Sequence, residues 1–350
     1  MAHSILHQLG LDKSSREPHS VDTMVCQQEE PLVNHITELF EKISSLESLK
    51  PSQDVDMLFT QLVLACMPPS PIDVTKLCAK VQEMRSKLIR LCGEAEGLLE
   101  KHYSTLLANY DNPLEHLDIF PYFENYVKLS LLEYNIFTEH STPVPKRVAF
   151  VGSGPLPLTS IVLALYHLPD TRFDNYDLDP AANEMAARLV GPDPDLSARM
   201  EFHTKDVMSV GKEELEQYDV VFLAALVGMD KEEKIKVIHH LAKNMAPGST
   251  LMVRSAHGAR AFLYPVVDPE DLCGFDVLSV FHPTDEVINS VVIARKTMDR
   301  TAPVYSNEWE HHSHNFSPLR MQSCKCTLEV QAFNRLNHGN IIEELAINNE

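Results

Sequence analysis

Hydrophobic positions along the first part of the chain follow the period of a helix. Beyond residues 1–28 they recur every three or four positions, as in the series that begin at Ile36 and at Leu77. A proline-rich break before Asp73, a residue type common at helix N-caps, separates two of these segments. The pattern predicts an all-α N-terminal domain over residues 29–142. Residues 1–28 have no periodic apolar face, and we expect them to form a flexible arm.

After Pro145 the pattern changes, because short apolar runs rich in β-branched residues begin to alternate with helical segments. The predicted strands of this region are 147–152, 172–177, 200–203, 218–224 and 250–254. Two further runs, 275–281 and 287–294, leave no room for a helix between them and should form an antiparallel hairpin at the sheet edge. The alternation predicts an α/β domain over residues 143–296 with a mostly parallel sheet.

The last part of the chain, residues 297–350, is polar and irregular, and we expect it to be a flexible tail. It contains three histidines at 311–314 and a Cys-Lys-Cys sequence at 324–326. The cysteine pair supplies too few ligands for a closed tetrahedral site, and histidines in an irregular segment rarely form a specific one. We therefore expect no bound metal. A non-catalytic metal-binding or regulatory protein that uses the histidine segment is kept as an alternative hypothesis.

Composition and charge narrow the classes of function. The 350 residues are 44% apolar, which is enough for a core and excludes a disordered or fibrous protein. The formal charge of -20 has the wrong sign for binding a phosphate backbone, so nucleic acid is not an expected partner. No apolar run approaches the roughly 18 residues of a membrane span, and seven scattered cysteines favour a reducing compartment.

These observations predict a cytoplasmic protein, without an integral membrane segment, whose partner is a small-molecule substrate. A Tyr-x-x-Leu sequence at 103–106 fits a tyrosine-based sorting pattern, although on a helix such a pair is more often part of the core. The sequence therefore leaves vesicle association open. It also leaves assembly into a homo-oligomer open.

A glycine turn follows the first predicted strand. Gly152, Ser153, Gly154 and Pro155 stand at the carboxyl end of that strand, which is where open α/β sheets bind their ligands. The turn lacks the third glycine of the dinucleotide fingerprint and the lysine of a phosphate-binding loop. A pyrophosphate ligand is therefore disfavoured, whereas close approach of another ligand to the backbone is allowed.

Acidic residues follow the second and third predicted strands. Asp177, about 25 residues after the glycine turn, is the first choice for accepting hydrogen bonds from ribose hydroxyls, and Asp179 is the second. The remaining candidates for the pocket, on its adenine side and its floor, are Asp206, Val207, Ala224, Ala225 and Leu226. Each acid alone is more often a loop cap, but their placement at successive strand ends indicates a nucleoside pocket.

The glycine turn, the two acidic positions and the edge hairpin together resemble the S-adenosylmethionine-dependent methyltransferase fold. That resemblance covers about residues 143–296 and implies a Rossmann-like class I sheet that binds S-adenosylmethionine. Four further motifs carry a closer resemblance: LCGEAEGLLE at 91–100, YDNPL at 110–114, FPYFENYVKL at 120–129 and IIEELA at 341–346. With them, the chain from about residue 30 to residue 347 resembles the plant nicotianamine synthase family.

Membership in this family implies that three S-adenosylmethionine molecules condense into nicotianamine by successive aminocarboxypropyl transfer. Three methylthioadenosines are released and one azetidine ring is closed. S-adenosylmethionine is then a substrate rather than a resident cofactor, and the product is a chelator of iron, zinc and copper. A small-molecule N-methyltransferase is the alternative function, because the carbon of the sulfonium that faces the nucleophile decides which group is transferred. S-adenosylhomocysteine would then replace methylthioadenosine as a product.

Aminocarboxypropyl transfer needs a base, because an α-amine is largely protonated near neutral pH. Glu96 and Glu100 are four residues apart on one predicted helix and share a face, and Tyr122 and Tyr126 have the same spacing. On spacing alone such glutamates are more often a solvated face. The family resemblance places both segments against the active site. We expect Glu96 or Glu100, with Tyr122 or Tyr126, to deprotonate the acceptor amine.

The carboxylate of the substrate needs a cationic or amide partner. Arg254, at the end of the fifth predicted strand, is the candidate for this role, and membership in a structural ion pair is an equally good explanation of it. Asn125 and Asn135 are candidate amide partners. The sequence does not decide between these assignments.

Overall fold

The computed structural model describes residues 30–141 and 143–298. Its α-helices are α1 (Glu30–Ser44), α2 (Gln53–Cys66), α3 (Ala79–Leu107), α4 (Phe123–His140), α5 (Leu158–Val162), α6 (Pro180–Val190), α7 (Pro194–Arg199), α8 (Lys212–Leu215) and α9 (Lys231–Asn244). Its strands are β1 (Arg147–Val151), β2 (Arg172–Asp177), β3 (Met200–Thr204), β4 (Val220–Leu223), β5 (Thr250–Ser255), β6 (Phe275–Phe281) and β7 (Ser290–Lys296). The predictions for the arm at 1–28 and for the histidine, cysteine and IIEELA segments of the tail lie outside the described residues.

The strands form one seven-stranded sheet in the order β3-β2-β1-β4-β5-β7-β6. The first five strands run parallel, whereas β7 is antiparallel to both β5 and β6. This arrangement confirms the predicted α/β class with an antiparallel edge hairpin. Because β1, β2 and β4 are parallel neighbours, the residues that follow their carboxyl ends meet at one edge of the sheet.

Two predicted boundaries are wrong. Asp73 caps a short 3₁₀ turn, Val74–Lys76, and the long helix α3 begins only at Ala79 because the two residues between them are extended. The second hairpin strand begins at Ser290 rather than at residue 287. The guanidinium of Arg260 binds the carbonyls of Pro283, Asp285 and Val287, so that this segment is held by a side chain instead of by a strand ladder.

The helices before the sheet are packed on it. Residues 30–141 and 143–298 fall in one compact unit. Apolar side chains of α1, α2 and α3 form a cluster that also takes in Ala256, Phe262 and Leu263, which follow β5. A second cluster covers one face of the sheet with α4 and α5, and a third covers the other face with α9. The division of this unit at residue 142 into two domains stays a prediction.

Helix α3 extends over 29 residues and crosses the carboxyl edge of the sheet. Arg90 pairs with Asp230 at the N-cap of α9, and Lys101 pairs with Asp179 at the N-cap of α6. Between these two ion pairs, α3 lies over the ends of β4 and β1. Among the described helices, none is long and apolar enough to cross a membrane.

Candidate active site

The glycine turn after β1 has a backbone that other residues would strain. Gly152 and Gly154 have φ values of 82° and 66°, which L-residues with side chains rarely adopt. A Cβ on Gly152 would lie only 2.3 Å from Cγ2 of Val227, so there is also no room for one. Ser153 between them is buried, and its hydroxyl has no hydrogen-bond partner within the described part of the chain. The turn therefore presents backbone and one free hydroxyl.

The two acids at the end of β2 have different surroundings. Asp177 accepts hydrogen bonds from the backbone N–H of Gly154 and of Asp179, each at 2.9 Å, which fixes its carboxylate beside the glycine turn. Each carboxylate oxygen retains capacity for a further donor. Asp179 instead accepts from the N–H of Ala181 as the N-cap of α6 and pairs with Lys101 at 2.7 Å. The geometry thus favours Asp177 over Asp179 as a free acceptor.

The remaining predicted pocket residues lie on the adjacent loops. Asp206 caps a 3₁₀ turn by accepting from the N–H of Met208 at 2.8 Å, and Val207 beside it is buried. The carbonyls of Ala224 and Ala225, directly after β4, accept hydrogen bonds at 2.9 and 2.8 Å from Nζ of Lys234.

Leu226, the next residue of that loop, meets α3. A Cβ on Gly93 would lie 3.5 Å from Cδ1 of Leu226. The loop after β4 is thereby held between α9 and α3, next to the glycine turn.

Glu96 and Glu100 meet at a single phenol. The hydroxyl of Tyr126 is 3.4 Å from Oε1 of Glu96 and 3.3 Å from Oε1 of Glu100. The hydroxyl of Tyr264 donates to the other oxygen of Glu96 at 3.1 Å. A Cβ on Gly154 would lie 2.6 Å from Oε2 of Glu100, which places this carboxylate directly against the glycine turn. The structure therefore brings three of the four predicted base residues together over the predicted pocket.

Tyr122, the fourth, is near this group without being hydrogen-bonded to it: desolvation, and then the charges of Asp56 and Glu96, raise the pKa of its phenol. Its ring packs edge-to-face against Phe120 at a centroid distance of 5.9 Å, and the side chain is exposed. No hydrogen bond from Tyr122 to either glutamate is present among the described side chains. Tyr126 is the tyrosine that the structure connects to both carboxylates.

Removal from water dominates the electrostatics of this cluster. It raises the pKa of Glu96, and the Tyr264 hydrogen bond and the charge of Arg254 oppose the rise. The pKa of Glu100 is raised well above its usual value by the same desolvation and by the charge of Glu96 beside it. The pKa of Tyr126 is also raised well above its usual value, first by desolvation and then by the two carboxylates. The phenol therefore stays protonated, and Glu100 keeps its proton to higher pH than an exposed glutamate does.

Arg254 is a member of a buried ion pair. Its Nε and Nη2 donate to the two carboxylate oxygens of Glu133 at 2.8 and 3.0 Å, and Nη2 also donates to Oγ1 of Thr159 at 2.6 Å. The guanidinium stands 5.9 Å from the ring centre of Tyr126 and 5.5 Å from that of Phe150. Arg254 is thus a member of a structural ion pair, one of its two predicted roles, and it lies next to the glutamates. A contact between Arg254 and a substrate carboxylate stays a prediction.

Of the two candidate amides, Asn125 donates to the carbonyl of Glu286 at 2.7 Å, and Asn135 is exposed on α4. Asn125 is therefore occupied by the loop before β7. Neither amide is hydrogen-bonded to the glutamate cluster in the described part of the chain.

Sequence reasoning missed three residues of this site. Glu133 and Lys234 are charged residues on the buried faces of α4 and α9. Both could have been found in the sequence, because a charged residue at an otherwise apolar helix position is rarely buried without a partner. Tyr264 lies in an irregular segment after β5, far along the chain from Glu96, and the sequence carries no signal for it.

One cluster of described residues has the composition of a metal site, namely Asp174, Glu201 and His203 on β2 and β3. The carboxylate of Asp174 is already used, because it is 2.8 Å from Nη2 of Arg147 and 2.7 Å from Nε2 of His203. This cluster is an ion-pair network within the sheet and lies outside the glutamate site.

The strand order, the antiparallel edge hairpin and the glycine turn after β1 are those of the Rossmann-like class I fold that the sequence predicts. The model of a family described as "Nicotianamine synthase protein" matches residues 26–301. The chain belongs to the nicotianamine synthase family, as its motifs indicated.

Relatives support this assignment, and a solved structure shares the fold. The chain is 61% identical over 324 residues to nicotianamine synthase of Solanum lycopersicum, which spans 93% of this chain and 99% of that one. It is 57% identical over 326 residues to probable nicotianamine synthase 4 of Arabidopsis thaliana, with 92% and 98% covered. A crystal structure of MtNAS in complex with MTA and tNA superposes with a TM-score of 0.63 at 23% identity, over 76% of this chain and 98% of that one. At this identity the structural likeness establishes the fold alone.

Proposed function

We propose that the protein condenses three S-adenosylmethionine molecules into nicotianamine and releases three methylthioadenosines. Its membership in the family over most of its length supports this proposal. The structural observation that carries it is the cluster of Glu96, Glu100 and Tyr126 over the glycine turn, because an amine nucleophile needs a base at this place. The relatives support this function and not the N-methyltransferase alternative.

The transfer step is a displacement at carbon. The acceptor amine loses a proton, its nitrogen lone pair forms a bond to Cγ of the methionine arm, and the electrons of the broken C–S bond stay on sulfur. The sulfonium becomes a neutral thioether, so a site that excludes water favours the step. In the ring-closing step the amine of one arm, after losing a proton, attacks the Cγ of that same arm. The Cγ–S bond breaks, its electrons leave with methylthioadenosine, and the four-membered azetidine results.

Glu100 is the favoured base. Of the two glutamates it is the one that lies against Gly154, and its pKa is raised further toward that of an amine. Tyr126 stays protonated and donates a hydrogen bond to the carboxylate of Glu100. This hydrogen bond orients the carboxylate and stabilises its charged form. Glu96, held by Tyr264 and Tyr126, positions this pair and receives the acceptor's second proton.

The nucleoside part binds along the strand ends. Asp177 accepts from the ribose hydroxyls, while Gly152, Ser153, Gly154 and Pro155 let the amino-acid arm approach the backbone. The adenine ring lies between Asp206 and Val207 on one side and the segment from Ala224 to Leu226 below. Asp179, which caps α6, supports Asp177 without contacting the ligand.

The product analysis that tests this proposal needs one reagent. We expect the purified protein, incubated with S-adenosylmethionine alone, to form nicotianamine and methylthioadenosine in a 1:3 ratio by liquid chromatography and mass spectrometry. Formation of S-adenosylhomocysteine, or of no product, would refute the proposal.

The wider role follows from the product's chemistry. A chelating amino acid made in the cytoplasm fits a function in iron, zinc and copper homeostasis. Fluorescence of the tagged chain in cells tests the location, and a vesicle-bound signal would contradict a purely cytoplasmic enzyme.

A further inference from the structure

Asn289 carries an amide donor that the surrounding chain does not use. Only 8% of the residue's surface is exposed, and its Nδ2 has no hydrogen-bond partner among residues 30–141 and 143–298. A buried N–H without an acceptor is unfavourable, so its presence in a folded protein calls for a reason. A ligand atom that accepts this hydrogen bond is one such reason.

The position of Asn289 places it at the active-site edge of the sheet. The residue directly precedes β7, whose first residue, Ser290, pairs with Ser255 at the carboxyl end of β5. Since β5 is parallel to β4 and β4 is parallel to β1, this end lies at the same edge as the glycine turn. Asn289 is therefore at the level of the loops that surround the glutamates.

The neighbours of Asn289 indicate which face of the sheet its side chain occupies. Val287 and Val291, two residues to either side, both belong to the hydrophobic cluster against which Tyr126 packs. Val291 is also the strand partner of Arg254. Side chains two apart along an extended segment face the same side. The amide of Asn289 is thus directed toward the face that holds Arg254 and Tyr126.

We propose that Asn289 donates a hydrogen bond to the α-carboxylate of the acceptor amino acid, and so helps to select that substrate. Arg254 is the strand partner of Val291, two residues along the chain from Asn289, and its positive charge favours an anionic acceptor atom over a neutral one. Glu133 and Thr159 occupy Nε and Nη2 of Arg254, and the amide of Asn289 is a further donor near this charge that no described residue uses. This assignment rests on the proposed function, because it names the acceptor of that reaction.

Asn289→Leu tests the assignment, because leucine has a similar size and lacks the donor. We would load the protein with methylthioadenosine, which has no carboxylate, and titrate it with nicotianamine by calorimetry. The variant should bind nicotianamine at least about tenfold more weakly, because a hydrogen bond to a charged group is lost. Its affinity for methylthioadenosine should stay within about twofold, and its thermal midpoint should be unchanged or higher because an unpaired buried donor is gone.

A matched control removes an amide that does have a partner. Asn244 at the end of α9 donates to the carbonyl of His240 at 2.9 Å, far from the glutamates. Asn244→Leu should lower the thermal midpoint slightly and leave both affinities unchanged. The opposite signs of the two effects on stability separate a ligand-binding donor from a structural one.

Two results would overturn the assignment. One is an unchanged affinity of Asn289→Leu for nicotianamine, which is expected if the amide of Asn289 donates its hydrogen bond only to water. The other is a parallel loss of methylthioadenosine affinity and thermal stability, which a structural role predicts. If the leucine variant does not fold, Asn289→Ala is measured against the same criteria. If the wild-type protein makes no nicotianamine, the proposed function is refuted. If the wild-type protein makes nicotianamine and Asn289→Leu binds it with normal affinity, only this inference is refuted.

Discussion

Replacing Glu133 by glutamine isolates the charge that balances Arg254. The substitution keeps the size of the side chain and one oxygen that accepts from Nε, so that the main loss is the negative charge. The two partners are 7% and 1% exposed, and the ion pair is therefore almost fully removed from water. Breaking a buried pair by removing one partner typically costs about 3–5 kcal/mol. That is a large part of the stability of a typical protein.

The expected size of the effect can be converted to a temperature. A domain of this size loses roughly 2–4 °C of thermal midpoint per kcal/mol, so Glu133→Gln should unfold about 6–20 °C lower than the wild type. Differential scanning calorimetry measures the shift. Thr159→Val, which removes only the hydrogen bond from Nη2 of Arg254, is the matched control and should lose less.

A double variant then separates stability from catalysis. Glu133→Leu with Arg254→Met replaces the pair by apolar side chains of similar length, which should recover most of the lost stability. The charge of Arg254 lowers the pKa of both Glu96 and Glu100, so its loss should move the acidic limb of the rate profile to higher pH in either case. If Arg254 is only structural, the KM for S-adenosylmethionine stays unchanged, and if Arg254 binds a substrate carboxylate, this KM rises. A midpoint of Glu133→Gln within about 2 °C of the wild type would refute the argument that this pair is a buried, mutually dependent one.

The base and its environment give three further expectations. Glu100→Gln should lower methylthioadenosine release at least about 100-fold, with the exposed Glu94→Gln as control, and near-normal activity would exclude Glu100 as the base. The rate should fall as the pH drops through the raised pKa of Glu100, and Tyr126→Phe should move this limb to higher pH because it removes a hydrogen bond that lowers the pKa; an unmoved limb contradicts this. Burial lowers the pKa of Lys234 from 10.5 to about 7, so the unfolded chain binds more protons between these values and stability should rise with pH, by at most about 1.4 kcal/mol per pH unit. Denaturant unfolding at pH 7 and 9 should show this rise in the wild type and in the exposed control Lys236→Met, and not in Lys234→Met.

Much of the sheet could be predicted from sequence because central strands such as β1 and β4 are buried on both faces and read as continuous apolar runs. β2 carries polar residues and β6 is only half-buried, but their place in the alternation of strands and helices was enough, and both have the predicted bounds. The start of β7 could not be predicted, since it depends on Arg260, which takes the carbonyls of a loop more than 20 residues away. The use of Asp179 as a helix cap was foreseeable, because an Asp before Pro180 is a typical start of a helix.

The candidate site also has a part that the sequence predicts and a part that it does not. Local spacing was enough to nominate Glu96, Glu100 and Tyr126, since residues four apart on a helix share a face. Their desolvation and the additional partner Tyr264 depend on contacts between segments 26 to 168 residues apart, which no local pattern reports. The partner of Arg254 is likewise 121 residues away, so the sequence left its role open between two explanations.

Because α3 crosses the sheet edge, two separate parts of the chain contribute residues to the site. The sheet supplies the glycine turn and Asp177, whereas the carboxylates come from a helix that precedes the sheet by some 50 residues of sequence. A fragment that began at β1 would keep the glycine turn and Asp177 and would lack both carboxylates. The carboxylates can therefore face the glycine turn only while α3 stays packed across this edge, where Tyr126 of α4 and Tyr264 after β5 hold them.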